Sequence, residues 1–100
     1  MKTIANSFNA VLAQAATAST RPICEIAAEI QRDWNSIGKG VSPYAKPYLD
    51  ALLSLTTAED VYYCDTGKSC ALYFLSNATS YRGENAKRLK AELKEAYGIR

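Results

Sequence analysis

Apolar residues recur every three or four positions along most of this chain, the spacing that lines one face of an α-helix. The clearest run is Ile23, Ile26, Ala27, Ile30, Trp34 and Ile37, with Glu25, Glu29, Arg32 and Asp33 lying off that stripe. Pro22 suits the first turn of this helix, and the segment GKGVSP at 38–43 ends it. Because a proline disfavours helical geometry in the residue before it, the next helix is predicted to start at Pro47, with Tyr48, Leu49, Leu52 and Leu53 as its apolar face. Thr56 and Glu59 have the spacing of a capping box, which predicts a short helix over TTAEDVYY. Asp65 or Thr66 then caps a helix whose inner face is Ala71, Phe74, Leu75 and Ala78. After a turn at 77–80, Gly83 precedes a last helix that turns Ala86, Leu89, Leu93 and Ala96 or Tyr97 inward, and Gly98 is its stop.

No strand-like alternation competes with this periodicity. The fold class is therefore all-α, a single-domain bundle of about five helices, one of them short. Residues 22–97 form its core and residues 1–19 a helical extension, in which Ile4, Phe8, Val11, Leu12 and Ala15 recur at helical spacing. That extension does not read as a secretory signal, because Asn6, Ser7 and Asn9 interrupt the apolar run such a signal needs. No apolar run reaches the length of a membrane span, so no membrane partner is expected.

Composition narrows the chemistry. The chain has 100 residues and no His, which removes the imidazole base of the usual Ser and Cys nucleophiles and the commonest zinc ligand. Cys24, Cys64 and Cys70 are odd in number and badly spaced for a zinc site, and they suit a reducing cytosol as buried thiols. We expect no metal, no cofactor and no enzyme activity. The Gly67-Lys68-Ser69 triplet resembles the end of a phosphate-binding loop, but the first glycine of that pattern would fall at position 62, where Tyr62 stands. It reads instead as a helix cap and turn.

Charge is uneven along the chain. Residues 23–65 carry three basic and seven acidic residues, a net of −4, whereas residues 66–100 carry seven basic and three acidic, a net of +4. Glu25, Glu29 and Asp33 lie on successive turns of one helix and make an acidic face. Of these, Asp33 adjoins Trp34, where shielding from water would raise its pKa and open a route to acid–base chemistry. Lys87, Lys90 and Lys94 form a basic stripe on the last helix, with Arg82 one turn before it and Arg88 to the side, positioned to pair with Glu84. On nucleic acid, three such phosphate contacts would give a salt slope of about −2.7 and weak binding at cellular salt. Seven tyrosines stand against two Phe and one Trp, more than so small a core can hold, so two or three should be exposed for partner contact.

Further resemblance lies in the order of short motifs. "DW" at 33, "PYL" at 47, Asp60 and Asp65, "YFL" at 73, "NA" at 77 and "YRGENAKRLKAELK" at 81 resemble a family of small uncharacterised proteins encoded on bacteriophages, plasmids and integrated mobile elements. The resemblance covers roughly residues 23–97. Where relatives have Trp-Arg-Gly-Glu, this chain has Tyr81-Arg82-Gly83-Glu84. It implies a setting rather than a mechanism: small proteins of this kind often bind and block a host complex, including restriction and CRISPR defence systems. The expected partner is thus a host protein or nucleoprotein complex, met through Tyr81, Arg82, Lys87, Lys90 and Lys94 on the basic side and Glu25, Glu29 and Asp33 on the acidic side. A nucleic-acid regulator using the last helix is the alternative.

Overall fold

The computed structural model describes residues 21–99, so the N-terminal helix expected before Arg21 lies outside the described residues. The described chain is mostly helical, with four helices and one small hairpin: α1 (Ile23–Asn35), α2 (Lys46–Leu53), β1 (Val61–Tyr62), β2 (Asp65–Thr66), α3 (Gly67–Asn77) and α4 (Glu84–Tyr97). α1 packs on α2 and α4, and α3 packs on the same two helices, so the four enclose one core.

Most of the core is the periodic set read from the sequence, although Tyr48, Leu53 and Leu75 are only partly buried against it and Leu55 and Tyr81 join it. Ile23, Ile26, Ala27, Ile30 and Trp34 of α1 meet Leu49 and Leu52 of α2, Ala71 and Phe74 of α3, and Leu89 and Leu93 of α4. Burying a Leu, Ile or Phe side chain stabilises the fold by about 1.5–3 kcal/mol each before entropy is counted. Ile37 falls past the end of α1 and is exposed. α2 begins at Lys46, one residue ahead of the expected Pro47.

The start of α1 is satisfied from outside. Pro22 offers no capping side chain, and the amides of Ile23 and Cys24 donate instead to the carbonyls of Thr56 and Leu55 at 2.9 and 2.8 Å. The loop after α2 therefore has a structural task, which explains the one clear departure from the predicted elements. The TTAEDVYY segment is not a helix. The Asp60 carboxylate, rather than the Thr56 hydroxyl, organises it by accepting from the amides of Thr56 and Thr57 at 2.9 and 3.0 Å and from the Thr57 hydroxyl at 3.1 Å. Val61 and Tyr62, β-branched and aromatic, then run extended and pair with Thr66 and Asp65 in an antiparallel hairpin. Tyr63 sits in its two-residue turn with φ +56°, a region that bulky side chains rarely adopt.

The remaining boundaries follow the sequence signals. The Thr66 side chain accepts from the Ser69 amide and caps α3. Gly98, at φ +65°, ends α4 in the left-handed conformation, and the Ile99 amide reaches back to the Lys94 carbonyl at 2.8 Å.

Candidate functional site

The structure first redistributes the residues expected to meet a partner. Tyr81 is 1% exposed: its ring stacks on Trp34 with centroids 4.9 Å apart, and its hydroxyl donates to Asp33 Oδ2 at 2.7 Å. A tyrosine whose polar tip reaches a carboxylate at the edge of the core can be buried at little cost, so this residue is an internal strut and not a contact surface. Lys90 is half-buried, with its ammonium donating to the carbonyls of Ala78 and Tyr81 at 2.8 and 2.7 Å. It closes the C-terminal end of α3, where a cation is favoured by the helix dipole, and burial pushes its pKa down. Lys87 and Lys94 are exposed, as is Arg82, whose Nε donates to the Thr79 carbonyl at 3.3 Å. The basic stripe is thus thinned to its outer members.

The acidic residues are also divided. Glu25 is exposed. Glu29 bridges Arg88 at 2.6 Å and Arg21 at 2.9 Å, while Arg21 makes a two-pronged contact with Glu92 at 2.7 and 2.8 Å. Arg88 therefore pairs across the α1–α4 interface and not with Glu84, so part of the charge asymmetry is spent joining the two halves of the chain. Asp33 accepts from the Tyr81 hydroxyl and, at 3.0 Å, from the Asn85 side-chain Nδ2. These donors, Tyr81 foremost, lower its pKa instead of raising it. A carboxylate held ionised in this way is the opposite of a general acid poised near neutrality.

One prediction arises here. The Arg88 and Arg21 guanidiniums lower the pKa of Glu29, and the Thr57 and Thr56 amides lower that of Asp60. With Asp33, three carboxylates have folded pKa values below their unfolded ones. Their stabilisation is fully present above the unfolded values of about 4 and disappears as pH falls through the folded ones. The urea midpoint should therefore be level near neutrality and drop below about pH 4. The variant Glu29→Gln/Asp33→Asn/Asp60→Asn should lose most of that acid limb; an unchanged limb would refute the assignment.

The most distinctive surface lies elsewhere, where α2, the hairpin and α3 converge. Tyr48 of α2 and Tyr73 of α3 stack with centroids 5.4 Å apart, and Tyr62 meets the edge of Tyr63 at 4.6 Å. One member of each pair, Tyr48 and Tyr62, lines a groove of about 380 Å³ together with Pro47, Asp50, Ala51, Asp65 and Cys70. Tyr63 is 86% exposed and Tyr73 56%; Tyr44, four positions before Tyr48, is 76% exposed. Three exposed tyrosines match the number expected, but none is at position 81: Tyr73 lies on α3, Tyr63 on the hairpin turn and Tyr44 in the turn before α2. Composition pointed to exposed tyrosines, while their grouping depended on the hairpin, which the periodicity did not reveal.

The cysteines are free, with Cys70 buried, Cys24 half-buried and Cys64 exposed on the hairpin turn, so Cys64 is not the core thiol expected. Burial pushes the Cys70 pKa up and keeps it a neutral thiol. Gly67, Lys68 and Ser69 form the first turn of α3. Among the described residues, no cluster of three or more Cys, Asp or Glu side chains is placed to hold a metal ion, and no helix is long and apolar enough to cross a membrane. Comparison with protein-family models, with curated proteins and with solved structures found no match for the chain.

Proposed function

We propose that this protein is a small non-catalytic interaction module of the cytoplasm that binds a partner protein through its tyrosine face. The observation supporting this reading is a run of aromatic contacts on that face: Tyr48 and Tyr62 line one groove, and each contacts a second tyrosine, Tyr73 and Tyr63 respectively, that is largely in water. Tyrosine gives large contact area at low cost in side-chain entropy and is enriched among the residues that carry binding energy at protein interfaces. The resemblance to proteins of mobile elements makes a host defence complex, restriction or CRISPR, the proposed target and inhibition the proposed outcome.

The experiment is a plasmid or phage challenge in cells carrying a defined defence system, with and without the protein. Wild type should protect the invading DNA by tenfold or more in at least one system, and Tyr48→Ala/Tyr73→Ala should lose that protection while remaining folded. No protection across a panel of systems refutes inhibition. Protection lost in Lys87→Glu/Lys94→Glu but kept in the tyrosine variant would move the contact to α4 and favour the nucleic-acid reading.

A further inference from the structure

We propose that the groove between α2 and the hairpin recognises an arginine side chain carried on a basic segment of the partner protein. This rests on the tyrosine-face reading and supplies the chemistry of its occupant. The groove combines aromatic walls, Tyr48 and Tyr62, with two carboxylates, Asp50 and Asp65, and has no basic residue in its lining. Residues 44–66 hold one basic residue, Lys46, against Asp50, Glu59, Asp60 and Asp65.

Lys46 is engaged with Asp50 at 3.1 Å, an exposed pair four residues apart on α2 that an incoming cation can displace at small cost. The Asp65 carboxylate has no hydrogen-bond or ion-pair partner shown among the described residues. Lys68 is two positions before Cys70 on α3, about 200° around the helix from this groove-lining residue. Cys70, a buried free thiol that also lines the groove, adds no competing charge.

A guanidinium suits this site better than an ammonium. It is planar and weakly hydrated, so it can lie against a tyrosine face while its fork of N–H groups meets a carboxylate. An acidic or purely apolar partner would leave Asp65 facing like charge or stripped of water.

The test uses a nona-arginine peptide, with nona-lysine and nona-glutamate of equal length as comparisons, titrated into the ¹⁵N-labelled full chain at 50 and 200 mM salt. Nona-arginine should shift the amides of Tyr48, Ala51, Tyr62 and Cys70, bind at least threefold more tightly than nona-lysine, and weaken with salt. Asp65→Asn should weaken it by about tenfold, whereas Glu25→Gln, removing an exposed acid on α1, should change it less than twofold. Shifts centred on α1, equal binding of both cationic peptides, or an unaffected Asp65→Asn variant would overturn the proposal. Concentration-dependent broadening of the same amides without peptide would overturn it in favour of a second copy of the chain. If nona-arginine fails to bind while Tyr48→Ala/Tyr73→Ala still abolishes protection in cells, the arginine assignment falls and the tyrosine face stands; if the tyrosine variant also protects fully, both fall.

Discussion

Replacing Trp34 with alanine should cost about 3–5 kcal/mol, a large share of the stability of a domain whose total is of the order of 5–15 kcal/mol. Trp34 is 3% exposed, stacks on Tyr81 and meets the Phe74 ring edge-on at 6.3 Å. Its loss opens a cavity where α1, α3 and the segment leading into α4 meet. Tyr81→Phe separates packing from polarity, because it keeps the stack and removes only the hydrogen bond to Asp33. That change should cost about 1 kcal/mol, since water can reach the carboxylate and partly replace the hydroxyl. Urea unfolding of both variants is the measurement. A Tyr81→Phe loss as large as that of Trp34→Ala would mean that the hydrogen bond, and not the aromatic stack, holds this corner. The same variant bears on function: with Tyr81 internal, Tyr81→Phe should leave partner binding unchanged.

Tyr81 also shows where sequence reasoning stops. A tyrosine beside an arginine, at the head of a basic helix, has the composition of a contact residue. What buries it is the stack on Trp34, with Asp33, forty-eight positions earlier, accepting the hydrogen bond from its hydroxyl. Long-range partners of this kind leave no trace in local spacing. Arg88 teaches the same lesson, since Glu84 stands at the right interval but Glu29 across the interface takes the contact. By contrast, the cores of α1, α3 and α4 were legible because burial on a helix repeats at 3.6 residues, and Thr66 and Gly98 were legible because caps act locally. The hairpin escaped because two-residue strands are too short to show alternation, and the threonine-rich segment before it satisfied a helix cap on paper. The groove was lost with it, since two of its walls depend on where the hairpin places Tyr62 and Asp65.

Gly67→Ala should be destabilising despite lying in a helix, by about 1–3 kcal/mol, the usual range for overpacking. A Cβ at position 67 would lie 2.5 Å from the Tyr97 hydroxyl and 3.1 Å from the Asp60 carbonyl. The backbone there needs no glycine conformation, and alanine would ordinarily gain about 0.4–1 kcal/mol through the unfolded state; the contact is what should reverse the sign. Tyr97 is 8% exposed, and its hydroxyl has no hydrogen-bond partner among the described residues. Burial pushes its pKa up to about 12. Tyr97→Phe should therefore be neutral or slightly stabilising, because it removes a buried polar atom that gains nothing in the fold. In that background Gly67→Ala should lose at least half of its cost, with the Asp60 carbonyl and the retained ring carbon Cε1 of residue 97, both 3.1 Å away, as the residual obstacles. A double-mutant cycle in urea measures the coupling. Additive effects would show that Tyr97 moves freely, whereas strong coupling would establish that the C-terminal turn of α4 is locked against the start of α3, directly behind the hairpin that forms one wall of the groove.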